Sequence, residues 1–312
     1  MPTMKTKAAS PKEHMGLSTR QKIIKYRTFY IMFIPLLICM IVFAYLPMFG
    51  ILYAFTDYTP FHPASFVGLA NFKKLFAQAG FWQAFFNTLQ ISTTKLILST
   101  VGSIVLALLL DEIHTVWFKK VAQTVVYIPH FMSWVVVASI FTMFLSPKNG
   151  LINGVVEAFG GKAIYFLADE KWWRPWFYII SVWKEIGWGT IIYLAALSGV
   201  DMEQHEAAII DGATRFQRII HLTLPAISGT IVTVLILNLA KVLNLFDPVW
   251  VLQNAMVINT SDVLETYVYR MGISGSQYGL STAAGLFKSV ISVLLVTIGN
   301  KLSKKITGEE VL

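Results

Sequence analysis

The sequence predicts an all-α integral membrane protein of six transmembrane helices, with a short helical loop on the inner side. Three observations predict it. The 312 residues are 55% hydrophobic, with a mean hydropathy of +0.62, well above a soluble domain. Six runs reach the roughly 20 apolar residues that a bilayer crossing needs. Lys and Arg are spread unevenly between alternate loops.

The elements follow in order. Residues 1–28 form a polar tail carrying Lys5, Lys7, Lys12, Arg20, Lys22, Lys25 and Arg27 against one acid, Glu13. The first span, Phe29–Phe55, is longer than necessary and holds Pro35 and Pro47, so a kinked or partly interfacial course is expected. With the outer segment after it, it makes a unit of residues 29–86. A core of residues 87–302 supplies five further spans: Asn87–Leu110, Ala122–Leu145, Trp176–Ser198, Pro225–Phe246 and Gly279–Leu302. In the last, Ser281, Gly285 and Ser289 recur every four residues, the pattern of a close helix-packing face. Residues 303–312 form a C-terminal tail.

With both ends inside, 14 cationic residues fall on the inner side and seven on the outer, which orients the chain with both termini in the cytoplasm. The net charge of +8 is therefore mostly a topological signal, and a nucleic-acid partner is not expected. No cleavable signal peptide is evident, because the first apolar run begins late and is too long. The lone Cys39 lies in the first span, which leaves no internal disulfide and no Cys-based metal site. Six scattered histidines have no metal-ligand spacing, and no Gly-x-x-x-x-Gly-Lys-Ser/Thr phosphate loop is present, so no metal, cofactor or ATP site is expected in this chain and no enzyme activity.

Between the fourth and fifth spans lies a polar island. Asp201 with Gln204 reads as a capping box that starts a helix at Met202. Asp211-Gly212 stops it, since Gly tolerates the left-handed conformation that ends helices. Thr214 with Gln217 forms a second capping box, and Pro225 sits where the next helix can begin. The expected order is helix, Gly turn, helix, span.

This run resembles the EAA signature of permease subunits of bacterial ATP-binding-cassette importers: Glu-Ala-Ala, three residues, Gly, and later a hydrophobic residue, one residue and Leu-Pro. Glu206, Ala207, Ala208, Gly212, Leu224 and Pro225 fit it, with Asp211 beside the Gly; Leu222 stands where Ile is usual. Gly68-Leu69-Ala70-Asn71-Phe72 is similar to an element common in carbohydrate-importer permeases. Residues 146–153, 189–199 and 206–218 resemble the group that imports complex oligosaccharides, including pectin- and alginate-derived saccharides. The resemblance implies a type I importer fold with a maltose-permease-like core in the bacterial inner membrane. It makes the Glu206 helix a coupling helix seated on an ATPase subunit. It also implies a second permease subunit in a heterodimer, an ATPase dimer that binds ATP and Mg, and an extracytoplasmic binding protein.

Four lysines fall inside predicted spans: Lys95, Lys184, Lys241 and Lys288. A charge near the middle of a span costs at least about 2.5 kcal/mol, so such residues tend to face protein or an aqueous cavity. With Glu185 as the one clear acid among them, such a cavity is positive and suits a carboxylate-bearing sugar such as a uronate. The alternative is that some of them snorkel outward or pair locally. Asn238, Lys241 and Asn244 step by three along one predicted helix. Trp183 and Trp188 are candidates for stacking on sugar faces, or for packing. Trp172 and Trp173 read either as an interface belt or as contacts to a binding protein. The leading reading is the membrane subunit of an ATP-driven importer of an acidic oligosaccharide. The alternative is an ion-coupled secondary transporter, which leaves the capped helix pair unexplained; a membrane anchor would not need lysines in its spans.

Overall fold

The structure, a computed structural model, describes residues 19–59 and 62–307. The tail residues Lys5, Lys7, Lys12, Glu13 and His14, and residues 308–312, lie outside the described residues. The chain divides into two units, Met1–Leu52 and Tyr53–Leu312.

In the first unit, α1 (Thr19–Lys25) precedes α2 (Arg27–Met40), and the helical run changes winding twice, to a π turn at Ile41–Tyr45 and a 3-10 stretch at Leu46–Phe55. The expected irregularity of this span thus takes the form of altered winding. Pro47 has no N–H to give to the preceding turn, so regular i−4 bonding cannot run through it. No α2 side chain is buried, and the run Arg27–Phe55 is long and apolar enough to cross a membrane.

The second unit opens with the Gly68–Phe72 element, whose conformation explains its residues. Gly68 takes a φ of 58°. The Asn71 amide, on α3 (Ala70–Phe76), donates to the carbonyls of Ala54 at 2.9 Å and Thr56 at 2.8 Å. Phe72 packs against Phe55 with ring centroids 5.6 Å apart.

The helix α4 (Ala79–Asp111) starts before the predicted Asn87, because Phe81, Trp82, Phe85 and Phe86 continue it toward its N-terminus. The predicted span Ala122–Leu145 is instead two helices, α5 (Val116–Phe131) and α6 (Trp134–Phe144), bent by 103°. At the break, just after Pro129, Met132 and Ser133 are extended, and Ser133 caps α6: its hydroxyl accepts from Val136 N at 3.3 Å. After α7 (Leu151–Ala158), the Asn153 amide donates to the carbonyls of Ser146 and Ile164, both at 3.0 Å, and closes the loop.

The helix α8 (Glu170–Leu197) packs along α4. Its buried positions Phe177, Ile180, Lys184, Gly187, Thr190, Tyr193 and Leu197 recur at three- and four-residue steps, as do Phe81, Ala84, Thr88 and Ile91, and farther on Thr100, Ser103, Ala107 and Leu110, on α4. The approach is close. A Cβ on Gly102 would strike Ile186 and one on Gly189 would strike Ser103, while the Ser103 hydroxyl donates to the Ile186 carbonyl at 2.9 Å. Small residues let two backbones draw together in this way. That face was expected on the last helix; there Gly285 has open space beside it and Ser289 is exposed.

The polar loop after α8 contains α9 (Met202–Ile210) and α10 (Arg215–Arg218), a π turn at Ile219–Thr223, and α11 (Leu224–Ala226). A 61° bend then leads to α12 (Ser228–Leu239). The fifth predicted span, Pro225–Phe246, is therefore not one helix. It ends at Leu239 in turns, where Lys241 N bonds to Asn238 O at 3.0 Å and Asn244 N to Lys241 O at 2.9 Å. A new helix, α13 (Phe246–Leu252), begins at Phe246, followed by a 3-10 turn, α14 (Ile258–Ser261), α15 (Leu264–Tyr269), a π turn at Arg270–Ser274, and α16 (Tyr278–Thr307). Among the described residues three helices are long and apolar enough to cross a membrane, or up to five if each bent pair is one span. The remaining predicted span, Trp176–Ser198, corresponds to α8, whose 28 residues extend about 42 Å; Lys184, Glu185, two glycines and several tryptophans keep it less apolar.

Candidate functional site

The polar loop from Asp201 to Pro225 has most of the local chemistry expected of it. The Asp201 carboxylate caps α9 by accepting from Glu203 N at 2.9 Å; Gln204 does not complete a box. Gly212 takes a φ of 80°. Ala213 N reaches Ala208 O at 2.9 Å and Gly212 N reaches Ile209 O at 3.0 Å, the paired bonds of a Schellman stop. The second box is complete: Gln217 N donates to Thr214 Oγ1 at 3.3 Å and Thr214 N to Gln217 Oε1 at 2.8 Å. Arg215 faces Glu112 at 3.4 Å and ties the loop to the turn after α4. No residue of α9 is buried; Glu206, Ala207, Asp211, Gly212 and Pro225 are exposed, and Ala208 and Leu224 half-buried. Ile210 and Phe216 stand 86% and 71% exposed, an apolar surface with no cover from this chain's described residues.

A second feature lies where α4, α6, α8 and the Asn238–Leu245 turn meet. It is a cavity of about 440 Å³ whose lining includes Lys95, Lys184, Glu185, Trp134, Trp188 and Lys241. Lys95 Nζ pairs with Glu185 Oε1 at 2.8 Å. Lys184, only 6% exposed, donates to the His130 carbonyl at 2.9 Å. The Trp134 ring centroid lies 5.9 Å from Lys95 Nζ and 5.4 Å from Lys184 Nζ, within reach of cation–π attraction. Trp188 stacks on His130 at 4.9 Å. Lys241 forms no ion pair among the described residues. Three ammonium groups against one carboxylate leave the lining formally positive. Ser92 Oγ, Ser99 Oγ, His130 Nδ1 and Tyr193 OH, all in the lining, have no hydrogen-bond partner among the described residues.

Of the predicted path residues, Lys95, Lys184, Trp188, Asn238, Lys241 and Asn244 meet in this cavity, and Trp183 and Lys288 do not. Trp183 packs edge-on against Phe141, with ring centroids 5.3 Å apart. Lys288 is ion-paired with Glu265, whose other oxygen accepts from Phe246 N at 2.6 Å. Glu185 is thus not the sole acid facing the span lysines. Asn238, Lys241 and Asn244 converge through a chain turn, not along a helix stripe.

A family described as the binding-protein-dependent transport system inner membrane component matches residues 103–308. The chain belongs to this family. Among curated relatives, protein LplB of Bacillus subtilis (strain 168) is 42% identical over 94% of both chains. The polygalacturonan/rhamnogalacturonan transport system permease protein YteP of the same organism is 43% identical, over 93% of this chain and 91% of that one. A crystal structure of a bacterial ABC transporter involved in the import of the acidic polysaccharide alginate contains a chain 36% identical to this one, with a TM-score of 0.85, covering 92% of this chain and 99% of that one. A second structure, of a bacterial alginate ABC transporter in complex with alginate pentasaccharide-bound periplasmic protein, matches with 35% identity and a TM-score of 0.86, covering 94% of this chain and 99% of that one.

The permease is thus a membrane transport component, and the family assignment favours the binding-protein-dependent reading over the ion-coupled one. The matched segment contains the whole inner loop and every cavity residue from α6 onward; Ser92, Lys95, Leu96, Ser99 and Thr100 precede it. Sequence reading missed Trp134 and His130 of the permease cavity, which looked like ordinary span and loop residues. It also missed Arg174, whose guanidinium donates to Thr260 O at 3.0 Å and Asn87 Oδ1 at 2.7 Å and pins α14 to α4 and α8.

Proposed function

We propose that this permease forms part of the passage of an ATP-driven importer that carries an acidic, uronate-containing oligosaccharide from an extracytoplasmic binding protein into the cytoplasm. The observation that carries the reading is the cavity: Lys95, Lys184 and Lys241 against one carboxylate, with Trp134 and Trp188 for sugar faces. Ligand carboxylates compensate such charges more directly than a neutral sugar does. Relatives that handle polygalacturonan or the acidic polysaccharide alginate support the same substrate class. The exposed loop from Glu206 to Pro225 serves as the coupling surface: Glu206, Ala207, Ala208, Asp211 and Gly212 shape the docking helix, and Leu224 and Pro225 lead its movement into the membrane. ATP and Mg belong to the separate ATPase dimer on that surface. A second permease subunit completes the passage as a heterodimer. Both termini lie in the cytoplasm, following the cation bias.

The test is uptake by proteoliposomes holding the assembled importer. Lys241→Gln removes the cavity charge that has no ion pair among the described residues, while keeping polarity and rough size. Uptake of a uronate trisaccharide should fall about tenfold, the scale of one lost charge contact, with assembly unchanged. Equal uptake by wild type and variant, or a binding protein that takes only neutral sugars, overturns the acidic-substrate reading.

A further inference from the structure

The three cavity lysines are held in three different ways. Lys184 is sunk to 6% exposure and holds a backbone carbonyl, so its position is fixed by the fold. Lys241 sits on a chain turn with no acid beside it among the described residues. Lys95 alone is matched by a carboxylate, Glu185, at 2.8 Å. Within that pair the burial is uneven: the Lys95 side chain is 15% exposed and that of Glu185 is 32%. The carboxylate is the more accessible partner, and Glu185 is part of the cavity lining.

We infer that Glu185 is a resident stand-in for a substrate carboxylate: it neutralises Lys95 while the cavity is empty and yields it to a uronate carboxylate during passage. This rests on the proposed acidic substrate and adds a role for a residue that such a substrate would otherwise only repel.

Three physical points support it. An ammonium group within the membrane is costly without a counter-ion, so an empty cavity that keeps Lys95 charged needs an acid of its own. A uronate carboxylate is chemically the same ligand as the Glu185 side chain. Exchange breaks one ammonium–carboxylate contact and makes another, whereas a neutral sugar offers only hydroxyls and leaves the pair closed. The third point is release. Three uncompensated lysines would hold a polyanion too well, and conduction requires binding weak enough to let go. A tethered carboxylate that competes for Lys95 returns that site to its empty state. The Trp134 ring also lies beside both Lys95 and Lys184, and α4 and α8 are held together by the Gly102, Ser103 and Gly189 contacts, independently of the ion pair.

The experiment is equilibrium binding of fluorescently labelled trigalacturonate to the purified importer complex, permeases with ATPase and without binding protein, with labelled maltotriose as the neutral control. Removing the competitor by Glu185→Gln should tighten trigalacturonate binding about tenfold over wild type and leave maltotriose unchanged. Lys95→Gln/Glu185→Gln should bind trigalacturonate more weakly than Glu185→Gln alone. If Glu185→Gln binds no tighter than wild type, the stand-in role is wrong. If Glu185→Gln and Glu185→Ala both lose the assembled complex, and adding Lys95→Gln restores it, the pair is structural and the inference also falls. Lys241→Gln separates the two levels. Lower uronate uptake in that variant, with no tighter binding in Glu185→Gln, removes the stand-in role alone. No effect in either variant removes the acidic-substrate reading beneath it.

Discussion

Gly212 offers a sharp test of the inner loop, because its backbone alone sets the cost of substitution. It takes a φ of 80° at the stop of α9, and a Cβ placed there would meet nothing within 4 Å. No steric clash complicates the reading. The expense is that of a left-handed L-residue, roughly 1–2 kcal/mol, and larger for a β-branched side chain. At that level the population of the native turn falls by a factor of roughly 5–30 relative to alternatives. Gly212→Val should therefore misplace the Schellman stop made by Ala213 N and Gly212 N, and with it the angle between α9 and α10. Gly212→Asn is the control, since Asn tolerates the left-handed region. The assay is ATPase activity of the reconstituted importer, stimulated by substrate-loaded binding protein, normalised to assembled complex. Gly212→Val should lose most of the stimulation and Gly212→Asn should keep most of it. Equal stimulation in wild type and Gly212→Val would sink the coupling assignment of this loop. Equal loss in both variants would show that the effect is not conformational.

Three further outcomes are expected. Topology reporters fused after Lys73 and after Lys162 should read the outer side, and those after Lys119 and Arg215 the inner side; a reversed signal at Arg215 would also remove the coupling reading. Gly187→Ala should push α8 off α5, because its Cβ would meet the Val126 carbonyl and lie 3.1 Å from Tyr127 Cα. Overpacking of this kind costs about 1–3 kcal/mol, read as a lower thermal midpoint of the solubilised complex. Lys288→Gln strands the Glu265 carboxylate, and so should lower stability by about 1–3 kcal/mol while leaving uronate uptake per assembled complex near wild type, the opposite pattern from Lys241→Gln.

What could be read from sequence was local. Asp201, Gly212, Thr214 and Gln217 act within a few residues of themselves, so the start and stop of α9 and the second capping box appear where short-range rules put them. Hydropathy alone located the apolar regions but not their breaks. The run Ala122–Leu145 holds Pro129 and Ser133, which mean hydropathy passes over, and the 103° bend falls just after Pro129, where Ser133 caps the next helix at Val136 N. Long-range pairing was invisible. Glu265 looked like part of an outer segment, yet it meets Lys288, 23 residues on; Lys95 and Glu185 are 90 residues apart. Close approach by glycines was equally hidden: Gly102, Gly187 and Gly189 each have a side chain or backbone of another helix pressed against them, while Gly285 of the repeat on the last helix has open space beside it.

The corrected course of the fifth apolar region changes how the two features of the permease relate. A single helix from Pro225 to Phe246 would have carried Lys241 in its interior, moving only with the whole rod. Instead α12 has 12 residues, about 18 Å, with a 61° bend before it and turns after it. Leu224 and Pro225 lie before its first turn; Asn238 is near its last, with Lys241 and Asn244 just beyond. Near the bend, Ile227 is buried with Ala107, Tyr193 and Leu197, and Tyr193 also lines the cavity. On the coupling role proposed above, a short helix with a bend before it and turns after it would carry a displacement at the loop to the turn that holds Lys241. Of the cavity's three lysines, Lys241 is the one on that turn; Lys95 and Lys184 stand on the tightly packed pair α4 and α8. Coupled movement would therefore shift the free charge against two fixed ones, altering the spacing offered to a polyanion without breaking the helix pair that holds the cavity together.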